Sequence, residues 1–197
     1  MRTFITSLKI FLFFTLLTGI IYPLFVTGIA QIFFRDNANG SILRIDGKAI
    51  GSTLIGQQFD SAKYFSSRPS ANGYLPFPSG GSNYGVTNDK LRKIVAERKR
   101  QFYAFNQLDE QTEIPSEMLF ASGSGLDPHI SPKAALLQVE RIVKVRNLTV
   151  IQKEKLIRKI NLENNHPQYG IFGKDCVNVL ILNIELDQLN SQVDKTN

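Results

Sequence analysis

Apolar residues run without a charge from Ile10 to Phe34, and Lys9 and Arg35 bracket them. At about 1.5 Å per residue, a helix of that length crosses a hydrocarbon core roughly 30 Å thick. The pattern predicts a short segment over 1–9, a transmembrane helix over 10–34, one domain over 35–187 and a polar, frayed tail over 188–197. A cleaved secretory leader is the rival reading, because Gly28 and Ala30 are spaced like a cleavage site. Leader cores usually span only about 7–15 residues. Here the run continues through Ile32, Phe33 and Phe34, which favours a retained anchor. Pro23 removes a backbone donor in mid-helix. Thr15, Thr18, Gly19, Thr27 and Gly28 suit close helix–helix contact in lipid. Basic residues lie on both sides of the run, so charge does not set its orientation.

Beyond the anchor the pattern shortens and alternates between periods. Asn39-Gly40 and Asp46-Gly47 are turn signals that divide off a hairpin, and Gly51 to Phe59 reads as a further strand. Residues 68–88 are dense in Gly, Pro, Ser and Asn, which predicts a long loop. Leu91, Ile94, Val95, Phe102 and Phe105 fall on one helical face within 87–105. Met118 to Ala121 reads as a short strand, followed by a Gly/Ser loop to Ser131. Ser131-Pro132 opens a helix to about Arg146, with a capping hydroxyl and then proline at the first helical position. Thr149 with Gln152 forms a capping box that opens another helix, to about Asn164. Val177 to Leu186 is rich in β-branched and aliphatic residues and predicts a central strand. The sum is an α+β protein: one N-terminal transmembrane helix and a single mixed domain.

Composition narrows the chemistry. The chain has 197 residues and a net charge of +6, of which Arg2, Lys9 and Arg35 supply half. The remaining bias suits anionic lipid headgroups and is too scattered for nucleic acid. Arg92, Lys93, Arg98, Lys99 and Arg100 form the densest basic cluster, which reads as a solvated helix face. Cys176 is the one cysteine, so no internal disulfide forms. The two histidines, His129 and His166, make no paired ligand motif, and no metal site is expected.

Three constellations carry candidate chemistry. Ser79-Gly80-Gly81-Ser82-Asn83 is a run of small residues whose amides can converge on an anion. No GxxxxGK[ST] accompanies it, so no autonomous P-loop is present, and a tight loop packed on another surface is the competing reading. The second, Ala121 to Ser131, contains Ser122, Gly123, Ser124, Gly125, Asp127 and His129. A hydrolase triad needs serine, histidine and aspartate in hydrogen-bond series, which neighbours in one short loop rarely achieve. Asp127 and Ser131 are expected instead to cap backbone groups, with His129 bonded nearby. The third, Arg68-Pro69-Ser70, is expected to hold a structural ion pair, or a carboxylate on a partner.

Taken in order, these segments resemble the C subunit family (KdpC) of bacterial Kdp-type potassium-transporting ATPases. The resemblance starts at Thr18-Gly19-Ile20-Ile21-Tyr22-Pro23 and continues through Ala38 to Ser41, Gly51 to Gln57 and Tyr64 to Ala71. It then takes in Ser79 to Asn83, Thr87-Asn88, Ala121 to Ser131 and Val177 to Asp187. Arg35-Asp36 departs from the family's proline-containing exit from the membrane. Tyr84, Val86 and Asp89 depart from the leucine and prolines usual around the Ser-Gly-Gly loop. The resemblance implies a non-catalytic accessory subunit of a high-affinity, ATP-driven potassium uptake system in the bacterial plasma membrane. Its N-terminus would be cytoplasmic and its domain extracytoplasmic. The partners implied are a channel-like potassium-selecting subunit, the P-type ATPase subunit that hydrolyses ATP, a small single-span subunit, and lipid.

The family role implied is assembly and a catalytic chaperone activity that raises ATP affinity. That makes Ser79 to Asn83 the nucleotide-contact candidate, with ATP met only through the complex and no cofactor bound autonomously. An outward domain meets no cytoplasmic ATP, however. The glycine-rich loops, with Arg68, Pro69, Ser122, Gly123, Ser124, Gly125, Asp127 and His129, are therefore expected to dock on the channel-like subunit. The alternatives from other classes are a membrane-anchored extracytoplasmic hydrolase and a solitary anchored binding protein.

Overall fold

The computed structural model describes residues 1–163, 167 and 169–191, with side chains as far as Leu189. His166 and residues 192–197 lie outside the described residues. The chain divides into two units, residues 1–52 and the remainder from Thr53.

In the first unit a continuous apolar helix covers Arg2–Phe33 and is long and apolar enough to cross a membrane. It starts earlier than the uncharged run, so residues 2–9 are helical as well. It comprises α1 (Arg2–Leu16), a π turn at Leu17–Ile21 and α2 (Tyr22–Phe33). The π turn directly precedes Tyr22-Pro23. A proline ring clashes with the carbonyl four residues back, and one wider turn relieves that clash without ending the helix. Thr18 Oγ1 donates to the Phe14 carbonyl at 2.7 Å, so its hydroxyl is satisfied within the helix. A short α3 (Arg35–Ala38) leads into β1 (Ile42–Ile45) and β2 (Lys48–Ser52). These strands form the expected antiparallel hairpin. Its two-residue turn, Asp46-Gly47, has both residues at positive φ (49° and 77°), as a type I′ turn requires. The further strand over Gly51 to Phe59 does not form: β2 ends at Ser52 and the chain proceeds without ladder partners.

In the second unit, α4 (Asp89–Asn106) is capped by Asn88, whose Oδ1 accepts from the Lys90 amide. A 3-10 turn at Ser116–Met118 replaces the short strand predicted over Met118 to Ala121. Buried Met118 explains the misreading, since one apolar residue pointing inward is compatible with either form. β3 (His129–Ile130) precedes α5 (Pro132–Arg146), and α6 (Val150–Leu162) follows. Both caps read from the sequence are present. Ser131 Oγ accepts from the Ala134 amide at 3.1 Å, and Thr149 and Gln152 complete their capping box.

The predicted central strand over Val177 to Leu186 is corrected by the structure. Only β4 (Val177–Asn178) is extended, pairing antiparallel with β3. α7 (Val179–Ser191) then begins, because Asn178 Oδ1 accepts from the Leu180 and Ile181 amides at 3.1 and 3.2 Å. Val179, Leu182, Leu186 and Leu189 recur at three- and four-residue spacing and are all buried, which is a helical stripe. The helix also carries residues 188–191, expected as tail. The core is the meeting of α5 (Ala134, Ala135, Val139, Ile142), α6 (Leu156, Ile160) and α7. Each fully buried leucine or isoleucine contributes about 1.5–3 kcal/mol. The mixed helix-and-strand reading stands, although among the described residues the strands form two small two-stranded sheets.

Candidate functional site

The site is built on a segment, residues 62–70, that belongs to no sheet. Its carbonyls over 62–66 and the amides of Phe65 and Ser66 are satisfied by side chains of α5 and α7. Asn183 accepts from the Phe65 amide at 2.8 Å and donates to the Phe65 carbonyl at 3.0 Å. Gln138 accepts from the Ser66 amide at 2.8 Å. Arg141, 2% exposed, donates to the carbonyls of Ala62 and Tyr64 and to Asn106 and Gln138. Burial pushes this guanidinium down to about 10, and its acceptors are all neutral. Side-chain amides thus do what a neighbouring strand would do, because buried backbone polar groups must be paired.

This frame places Arg68 against the second loop. Arg68 Nη1 lies 2.8 Å from Asp127 Oδ2, the structural ion pair that the sequence suggested. The Ser122 amide donates to the Pro69 carbonyl at 3.2 Å. Asp127 Oδ1 accepts from the His129 amide at 3.0 Å, and His129 Nδ1 lies 3.4 Å away. Burial works to raise the Asp127 carboxyl, but the bonds from His129 and Arg68 outweigh it and hold the group at about 2. The Ser122 hydroxyl accepts from the Asp127 amide and the Ser124 hydroxyl from the Leu126 amide. Serine, aspartate and histidine share the loop, yet these bonds cap its backbone and do not link the three in series.

A depressed carboxyl contributes stability that is complete above its unfolded value, near 4, and is lost as pH falls through its folded value. We therefore expect about 1–2 kcal/mol of stability, after solvent screening, to disappear between about pH 4 and pH 2. Asp127→Asn should lack this increment at pH 5 and converge on the wild type near pH 2, as followed by denaturant unfolding.

The two glycine-rich loops meet backbone to backbone. A methyl group at Gly81 would sit 3.3 Å from the Gly123 carbonyl oxygen. Gly125 has φ +73°, and a methyl there would lie 2.7 Å from Asn72 Oδ1 and 2.9 Å from the Gly80 carbonyl oxygen. Ser79 to Ser82 also line a cavity of about 380 Å³, whose other walls include Tyr84, Leu91, Ile94 and Arg98. Asn83, at φ +54°, lies between the lining residues Ser82 and Tyr84 and is not itself in the lining. The next helix, α4, begins only at Asp89, whose negative charge sits in its first turn. A P-loop places an anion at a helix N-terminus; an acid there repels one. A second cavity of about 600 Å³ adjoins Arg68, Asp127 and His129. Among the described residues no three His, Cys, Asp or Glu side chains are arranged to hold a metal.

The structure therefore brings together Arg68, Pro69, Gly80, Gly81, Ser122, Gly123, Gly125, Asp127 and His129, while Ser79, Ser82 and Asn83 are exposed. Residues not singled out from the sequence hold this arrangement: Asn72, Gln138, Arg141 and Asn183. Gln138 and Arg141 did leave a signal, as polar residues on the buried face of α5.

A helix long and apolar enough to cross a membrane, followed by a domain whose glycine-rich loops pack on each other, defines a protein with a candidate membrane span and a preformed loop surface. The family model described as "K+-transporting ATPase, c chain" (KdpC) matches residues 4–188, and the chain belongs to this family. The potassium-transporting ATPase KdpC subunit of Mycobacterium tuberculosis is 46% identical over 190 residues, covering 95% of this chain and 99% of that one. The KdpC subunits of Caldanaerobacter subterraneus (44% over 180 residues; 91% and 92% covered) and Leptospira interrogans (44% over 181 residues; 92% and 91% covered) are similarly related.

Proposed function

We propose that this chain is the non-catalytic C subunit of a high-affinity, ATP-driven potassium uptake system in the bacterial plasma membrane. Its single span anchors it, with residues 1–9 on the cytoplasmic side and the domain from residue 35 outside. It assembles with a channel-like potassium-selecting subunit, the P-type ATPase catalytic subunit and a small single-span subunit. The observation that carries the docking role is the backbone contact between the 79–83 and 122–125 loops. Loops fixed on each other in this way offer a rigid surface, which suits recognition of another protein.

An effect on ATP affinity, as a catalytic chaperone would have, is then a coupling free energy transmitted through the complex. A domain tethered by one span lies on one side of the membrane, so outward placement and contact with cytoplasmic ATP exclude each other. Equilibrium dialysis of the full-length chain in detergent is expected to give no saturable ATP binding. Saturable binding at Ser79 to Asn83 would overturn the outward docking reading and favour direct nucleotide contact.

A further inference from the structure

We propose that the turn Leu75-Pro76-Phe77-Pro78 is the anchor that seats this surface in an uncharged, apolar socket on the channel-like subunit. The inference rests on the docking reading above and names the side chains that would dominate it.

Phe77 is 92% exposed and Leu75 57%, yet the turn that carries them is closely held. Asn72 Nδ2 donates to the Leu75 carbonyl at 2.9 Å and to the Pro78 carbonyl at 2.7 Å, closing the turn across its mouth. Ser70 Oγ accepts from the amides of Asn72 and Tyr74 at 3.2 and 3.0 Å. Tyr74 sits at φ +60°, a conformation that aromatic residues rarely adopt, and its hydroxyl is tied to the Arg68 carbonyl. Two prolines further restrict the turn. Ordering of this kind, spent on presenting a phenylalanine to solvent, lowers the entropy lost when that side chain is later buried.

Charge selects the kind of partner. Residues 69–88 contain no Asp, Glu, Lys or Arg, and Arg68 beside them is paired with Asp127. Attachment to an anionic lipid surface draws on lysine and arginine, which this tract lacks. The centres of protein interfaces are depleted in charge and enriched in aromatic anchors. The turn is also continuous with the loop surface. Asn72 and Pro78 line the same cavity as Ser79 to Ser82, and Asn72 Oδ1 is the atom that a side chain at Gly125 would strike.

The test uses the full chain co-expressed with the other subunits and extracted in mild detergent. Phe77→Ala should weaken retention of the channel-like subunit roughly thirtyfold, the size of a hot-spot truncation. It should leave the melting temperature of the chain extracted alone unchanged. A benzoylphenylalanine placed at position 77 should photo-crosslink to the channel-like subunit. Wild-type retention by Phe77→Ala, or a crosslink to lipid, to a second copy of the chain or to another subunit, would overturn the proposal. Ser82→Trp separates the two levels of inference. If it abolishes retention while Phe77→Ala does not, the anchor falls and the docking surface stands. If neither variant has an effect, both fall.

Discussion

Arg141→Ala is expected to destabilise the domain by about 3–4 kcal/mol, measured by denaturant unfolding of the full chain in detergent. The guanidinium is 2% exposed and bonds the carbonyls of Ala62 and Tyr64 together with Asn106 and Gln138. Truncation leaves several buried acceptors without donors, each costing about 1–3 kcal/mol before relaxation, and opens a cavity beside them. Its planar fork reaches two segments at once, and the Phe105 ring lies 4.4 Å away. Arg141→Lys retains a charge but not the fork, and should recover only part of the loss. Full wild-type stability in Arg141→Ala would mean that segment 62–67 holds its place without this residue. The frame beneath Arg68 would then need another explanation.

The second large effect concerns association. Gly125→Ala is expected to cost about 2–4 kcal/mol and to abolish co-purification of the channel-like subunit. Its φ of +73° disfavours any side chain, and the added methyl would meet Asn72 Oδ1 at 2.7 Å and the Gly80 carbonyl oxygen at 2.9 Å. Either the two loops separate or the Asn72 clamp opens, and each change deforms the surface proposed to dock. Gly85→Ala is the matched control. A methyl at Gly85 meets nothing within 4 Å, so its stability should stay within about 0.5 kcal/mol of wild type and its partner should be retained. Equal behaviour of the two variants would detach partner binding from the loop contact.

These residues also mark what the sequence discloses. The long apolar helix, the Asp46-Gly47 hairpin and the caps at Ser131 and Thr149 are local features, each set by residues close in the chain, and each was legible as an element. The Arg68–Asp127 pair was legible as a type of interaction, because an arginine beside a glycine-rich loop needs an acceptor. The β-branched composition of Val177 to Leu186 reads as a strand, yet the Asn178 cap and the spacing of buried Val179, Leu182 and Leu186 make α7 a helix. Tertiary burial overrides propensity there. The Asn183–Phe65 bonds join residues 118 positions apart. No local pattern announces such a pairing, although a buried asparagine on an apolar helix face asks for a partner. Both glycine-rich loops were visible in the sequence, and their contact through Gly81 and Gly123 was not. Small residues permit close approach without specifying what approaches.

The role proposed for this chain is that of a docked subunit of a potassium-transporting ATPase. It is tested most directly by extracting the tagged chain in mild detergent from cells expressing the other subunits. The co-purifying proteins are then identified and the eluate assayed for ATPase. A docked subunit should bring with it a channel-like subunit and a P-type ATPase subunit with potassium-stimulated ATP hydrolysis. Recovery of the chain alone from cells shown to contain those subunits would contradict it.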